Sequence, residues 1–239
     1  MAQMFGGKSK YLIKNERHNY SAAGVTLIVI ILIIFIYILV LKYFTLNPNS
    51  IPYVIVAFIF IFLILRQIFE QKLSIFDKFN QGRRGEDEIC NELKKLPDEY
   101  FVFQDITLPN RRGNIDFVVM GSTGLFAIEV KSHSGKIGFN GEELTCNGGI
   151  FRENKNFLRQ TMREATDLSD YLKQKTSRKY FVIPVIIFSN KWASLKFGFN
   201  QIKGVYVLGK PFLHQLIKKN DNNLSQIDVE NLKNVMLKI

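Results

Sequence analysis

Twenty consecutive residues without a charge, AAGVTLIVIILIIFIYILVL from Ala22 to Leu41, place the strongest constraint on how this chain can fold. At ~1.5 Å rise per residue a helix of that length covers about 30 Å, the thickness of a bilayer's hydrocarbon core. A second apolar run, IPYVIVAFIFIFLIL from Ile51 to Leu65, is shorter and reaches Phe69 only by passing Arg66 and Gln67, with Arg66 snorkelling to the interface. Together the runs predict a transmembrane helical hairpin over 22–69. Lys8, Lys10, Lys14 and Arg17 precede the first run, Lys42 alone lies between the two, and Arg66, Lys72, Lys78, Arg83 and Arg84 follow. The positive-inside rule then predicts a multi-pass protein with both termini cytoplasmic, in the inner or plasma membrane of a prokaryotic-type cell. A cleaved signal peptide fits less well, because its apolar region is shorter and ends in small residues, whereas Lys42, Tyr43 and Phe44 follow here.

The remainder has the composition of one ordinary globular domain. The expected organisation is a cytoplasmic segment over 1–21, the hairpin over 22–69, a linker over 70–81 and a folded domain over 82–239. Cys90 and Cys146 form neither a CxxC nor a Cys/His cluster, which argues against a zinc site or a disulfide framework and for a reducing compartment. Of the net charge of +11, +7 lies beyond residue 65 and invites an anionic partner such as nucleic acid or phospholipid.

Within that domain, GRRGEDEICNELKKLPDEY from Gly82 predicts a helix stopped by Pro97. Strand-like runs follow at Tyr100–Leu108, Ile115–Met120 and Gly124–Ser132, then a small hairpin excursion rich in Gly and Asn. A helix is expected over about 154–175, strands from Tyr180 and from Gly204, and two short closing helices. This order is mixed α/β.

Charges interrupt two of the apolar strands. Residues two apart on a strand share a face, so Glu129 and Lys131 project together. A turn through Gly121 and Gly124 folds Asp116, near the start of the preceding strand, back toward them. On the helix, Glu86 shares the stripe of Ile89, Cys90, Leu93 and Leu96. Unpaired buried charge is costly. Three inward carboxylates beside one lysine carry surplus negative charge, which a hard divalent cation such as magnesium or manganese would balance through Asp116, Glu129 and Glu86. Such a site can polarise a phosphodiester, with Lys131 offsetting charge in the transition state. Two plainer readings stand beside it: a self-neutralising salt bridge for the strand residues, and for Glu86 a first-turn glutamate favoured by the helix dipole.

GRRGE at Gly82–Glu86, NIDFVVMGSTGLFAIEVKSHSGKI at Asn114–Ile137 and NFLRQ at Asn156–Gln160 resemble the nuclease-related domain, NERD, of the PD-(D/E)XK superfamily. The resemblance covers roughly Gln81 to Asn190. It implies a restriction-endonuclease-like core, a mixed central sheet flanked by helices, here preceded by the transmembrane hairpin. It also implies catalytic roles for Glu86, Asp116, Glu129, Lys131 and Gln160. Phe157 stands where the family often has proline, and Gln160 lies about 120° from the centre of the stripe of Leu158, Met162, Ala165 and Leu172. Around the cluster, Arg83, Arg84, Arg111, Arg112, Lys136 and Arg159 are candidates for phosphate contacts, which give affinity without sequence specificity.

The expected activity is that of a membrane-anchored, cytoplasm-facing nuclease hydrolysing nucleic acid, DNA ahead of RNA, with magnesium or manganese. The alternatives are a catalytically silent nucleic-acid-binding domain of the same fold, or a membrane scaffold gripping anionic lipid or protein.

Overall fold

Gly121 and Gly124 pair across a turn made only of Ser122 and Thr123, and this turn sets the register of the strands that carry Asp116 and Glu129. In a computed structural model describing residues 1–6, scattered positions between 24 and 38, 51–109, 111, 113–151 and 156–239, the elements are as follows. They run β1 (Gln3–Phe5), α1 (Ile51–Leu93), β2 (Phe101–Ile106), β3 (Ile115–Gly121), β4 (Gly124–Lys131), β5 (Gly135–Phe139), β6 (Leu144–Cys146) and β7 (Gly149–Ile150). Then come α2 (Phe157–Thr176), β8 (Val182–Phe188), β9 (Ala193–Leu195), β10 (Gln201–Ile202), β11 (Val205–Gly209), α3 (Leu213–Lys219) and α4 (Gln226–Met236).

Two compact units are present, Met1–Lys8 with Gly82–Ile239, and Ser9–Gln81. The first is built on a seven-stranded sheet in the order β1-β2-β3-β4-β8-β11-β10. Its β2-β3-β4 meander is antiparallel, while β4, β8 and β11 run parallel. The sheet is therefore mixed, as expected for the α/β class. Alternation along β3 and β4 sends Phe117, Phe126 and Ile128 to one face, against Ile89 and Leu93 of α1 and Leu213 and Ile217 of α3. Val118, Leu125 and Ala127 take the opposite face, against Ala165, Leu168 and Leu172 of α2 and Val229 and Leu232 of α4. A four-stranded sheet, β7-β6-β5-β9, adds a third apolar cluster that includes Ile137, Phe157 and Phe188.

α2 starts where its cap dictates: the Asn156 side chain accepts the Arg159 backbone N–H, and the helix ends with Ser177 in the left-handed region. The expected start of α1 at Gly82 is displaced far upstream. Gly82 and Gly85 lie inside a helix of 43 residues, and residues 70–81, expected as a linker, are helical too.

The membrane expectations are corrected. Among the described residues no helix is long and apolar enough to cross a membrane. The uncharged part of α1 is only its first fifteen residues, about 22 Å at ~1.5 Å per residue, against ~30 Å of hydrocarbon. Beyond it, Arg66 Nε donates to Glu70 Oε1 at 2.8 Å, both side chains exposed, an ion pair on the helix surface rather than a snorkelling anchor. The first run, 22–41, lies for the most part outside the described residues. The transmembrane hairpin over 22–69, the multi-pass location and the membrane as partner fall with this finding.

Candidate active site

Asp116 sits one residue inside β3, and Glu129 and Lys131 close β4, so the β3–β4 register carries all three to one end of the sheet. They share the face that packs on α2. The Val130 backbone N–H donates to Asp116 Oδ2 at 2.8 Å, fixing that carboxylate against β4. Lys131 Nζ donates to Glu129 Oε1 at 2.5 Å and lies 4.5 Å from the centre of the Phe157 ring. Gln160, from α2, reaches the same oxygen: its Nε2 donates to Glu129 Oε1 at 2.9 Å and to Glu164 Oε1 at 2.9 Å. Gln160 is therefore in the cluster despite its distance from the apolar stripe. It occupies the flank of α2 beside buried Leu158 and Thr161, which is where a side chain must sit to look along the sheet's end rather than into the core.

Glu86 comes from the layer on the other side. α1 packs Ile89 and Leu93 against the face opposite Glu129, and Glu86 meets the cluster over the end of the sheet. Gly85 makes this approach possible: a Cβ there would stand 2.5 Å from Ser189 Oγ and 3.2 Å from Ser132 Cβ. Because α1 begins at Ile51, Glu86 is nowhere near its N-terminus, and the helix-dipole reading of this glutamate is excluded.

The electrostatics of the cluster are those of crowded acids. Burial, then Asp105 and Glu129, push Glu86 up to about 7. Burial, then Glu129 and Glu86, hold Asp116 well above the usual carboxylate range, against the opposing Val130 hydrogen bond. Burial would depress the Lys131 ammonium, but the Glu129 carboxylate beside it outweighs this and raises it, so Lys131 stays cationic. Glu164 is pushed up to about 8, by burial and then by Glu129. Glu129 Oε2 is buried and meets no N–H or hydroxyl donor. The Glu129 charge beside Glu164 favours the protonated form of Glu164.

Glu164 and Asp105 were not singled out from the sequence. Glu164 lies four residues after Gln160, the spacing that puts two side chains on one helix flank, and that signal was available. Asp105 carried none: it has a left-handed backbone inside β2, φ 58°, and accepts from Asn114 Nδ2 at 2.5 Å, a local break in the strand that periodicity does not encode.

The donors are carboxylate oxygens, the ligand type of magnesium and manganese. Among the described residues no three His, Cys, Asp or Glu side chains are gathered as a ready metal-binding group. The cluster fits a cation held by one or two carboxylates with substrate phosphate completing its shell, and the mutual repulsion of Glu86, Asp116 and Glu129 is what such a cation would relieve.

The basic residues expected around the cluster differ in their placement. Arg84, Lys136 and Arg159 are exposed, and Arg83 is half-buried. Arg111 is exposed but pairs with Asp167, Nη1 to Oδ1 at 3.3 Å. Arg112 lies outside the described residues.

Residues 81–189 match the family model of the nuclease-related domain, NERD. That segment contains Glu86, Asp116, Glu129, Lys131 and Gln160. An uncharacterized protein of Bacillus anthracis is 32% identical over 81 residues, 32% of this chain and 38% of the relative, so the likeness spans well under half of that protein. No solved structure matches.

Proposed function

We propose that this nuclease-related domain hydrolyses phosphodiester bonds of nucleic acid, DNA ahead of RNA, with a divalent cation held by Asp116 and Glu129 and approached by Glu86. The observation that supports this reading best is the meeting of Asp116, Glu129, Lys131 and Gln160 at one end of the sheet through the Asp116–Val130, Lys131–Glu129 and Gln160–Glu129 hydrogen bonds. A bound magnesium or manganese ion supplies Lewis-acid polarisation of the scissile phosphate. Lys131, kept cationic by Glu129, offsets the charge that builds on the phosphoryl oxygens in the transition state. Gln160 fixes the Glu129 carboxylate through a donor that cannot titrate, and Phe157 walls Lys131 from one side. In this reading Arg84, Lys136 and Arg159, all exposed, take backbone phosphates.

Purified full-length chain incubated with DNA and RNA in magnesium, manganese or chelator tests this. Cleavage that needs the metal and is lost in Asp116→Ala and Lys131→Ala is the expected result; cleavage unchanged in both variants belongs to another protein.

A second reading rests on one specific observation, the lack of a ready three-ligand group among the described residues. In that reading the domain binds nucleic acid without cutting it. Binding in chelator with no cleavage in any metal would select it.

A further inference from the structure

Trp192, Phe212 and Phe199 are 72%, 49% and 39% exposed, an outlay of aromatic surface that the packing of the fold does not use. Phe212 lines a pocket of about 350 Å³ at the C-terminal ends of β8 and β11, with Phe188, Ser189, Lys191, Gly209 and Lys210 among its other walls, and Trp192 follows Lys191 of that lining in the chain. Phe199 meets Phe212 edge-on, ring centres 5.8 Å apart, and Phe212 stays half exposed.

This pocket borders the acidic cluster. Phe188 is the cross-strand partner of Lys131, and the Ser189 backbone N–H donates to the Lys131 carbonyl at 2.9 Å. Lys136 faces Ser194 across the β5–β9 pair. The lining of the pocket includes Lys191 and Lys210 and no aspartate or glutamate. Lys191 Nζ lies 5.1 Å from the Trp192 ring, and Lys210 is paired with Glu88 of α1 at 2.6 Å. A cationic groove set with open aromatic faces is the surface on which single-stranded nucleic acid is held, its phosphates by lysine and its bases by stacking. In a duplex those base faces are covered by their neighbours, and a pocket of this size admits a nucleotide, not a helix.

We propose that this pocket receives an unpaired nucleotide next to the scissile phosphate, so that the substrate is single-stranded nucleic acid or a single-stranded end. The proposal rests on the phosphodiester reading above and names the substrate class of the same site. Trp192 and Phe212 stack the bases, and Lys191 and Lys136 take the phosphates.

The chain holds one tryptophan, next in sequence to Lys191 of the pocket lining, so its fluorescence reports on that segment. Full-length chain in chelator is titrated with an oligothymidylate of about 12 nucleotides, with a duplex of equal length, and with heparin as a polyanion without bases. Saturable quenching by the single strand, at least tenfold weaker for the duplex and absent with heparin, is expected. By anisotropy of a labelled oligothymidylate, Trp192→Ala and Phe212→Ala should each weaken binding by about 5- to 150-fold, the worth of one stacked base. Circular dichroism checks that both variants keep the fold, as substitutions at exposed positions should. Equal quenching by duplex or heparin, or single-strand affinity unchanged in both variants, overturns the proposal. Tight single-strand binding without cleavage in any metal sinks the nuclease reading and leaves this one; cleavage with both aromatics dispensable does the reverse.

Discussion

Gly85→Ala is a demanding test of how the site is assembled, because two opposing effects of known size meet there. In an exposed helix the change would help, since alanine exceeds glycine by about 1 kcal/mol in helix propensity. Gly85 is buried, however, and the new methyl would lie 2.5 Å from Ser189 Oγ and 3.2 Å from Ser132 Cβ. Carbon contacts are optimal at ~3.5–4.0 Å, so the hydroxyl is about 1 Å too near. Ser189 is 3% exposed, which leaves it little room to yield. Overpacking of this kind costs about 1–3 kcal/mol, which exceeds the propensity gain and leaves a net loss of about 1 kcal/mol. At the size of this chain that is a fall of ~2–4 °C in melting temperature, read by circular dichroism on the full-length protein. The strain lands on the residues that follow Lys131 and on the helix turn bearing Glu86, and a displacement of about 1 Å there can cost ~100-fold in rate. Ser189→Ala removes the clashing oxygen and leaves its Cβ at an ordinary 3.5 Å. The double variant should therefore recover the loss, with a coupling of about 1 kcal/mol. A Gly85→Ala chain that melts at or above the parent temperature, or a double variant that is merely additive, refutes the close approach of α1 to the end of β8.

Gln160→Ala removes the donor that Glu129 and Glu164 share, and cleavage or metal affinity should fall about 10- to 100-fold; Gln160→Glu, which adds a third acid, should be worse, as steady-state assays across magnesium concentrations will show. In the folded state Glu86 at about 7 and Glu164 at about 8 hold protons that the unfolded chain releases near 4.5. The native state thus binds more protons between those values, and stability should fall as pH rises from about 5 to 8, by a few kcal/mol at most. Denaturation in chelator at both ends of that range measures it, Glu164→Gln should flatten the slope, and a slope of opposite sign removes the crowded-acid picture. Metal binding should release protons over the same range, detectable by calorimetry in buffers of different ionisation enthalpy. Asp228 is 4% exposed, takes the Ser225 hydroxyl at 2.6 Å and the Tyr180 hydroxyl at 3.2 Å, and pairs with Arg178; Asp228→Ala should cost about 1–3 kcal/mol by thermal melting with little effect on cleavage.

The β3–β4 hairpin was legible because its signals are local: two apolar runs, two glycines three positions apart and three charges at positions that share a face. α2 was legible within a few residues for the same reason. What escaped depends on partners distant in sequence. Gln160 looked misplaced when judged only against its own helix's stripe, since the space that accepts it is made by Glu129, thirty-one positions earlier. α1 was divided into an apolar run and a helix because Gly82 reads as a start, whereas it lies inside the helix, one turn before the Gly85 that meets Ser189. The expected membrane hairpin rested on length and apolarity, which describe a segment's solubility in lipid and not the helix of which it is a part.

The parallel strand β1 could not be foreseen either, and it orders events in time. Gln3 pairs with Phe101, 98 positions later. At about 5–20 residues per second, a ribosome delivers that partner some 5–20 s after Gln3. A segment made that much earlier is thus among the last to find its place, and until then the edge of Phe101–Ile106 away from β3 is unpaired. Whatever hinders Gln3–Phe5 from reaching that edge would act on this final closure first, slowing maturation before it altered the finished molecule.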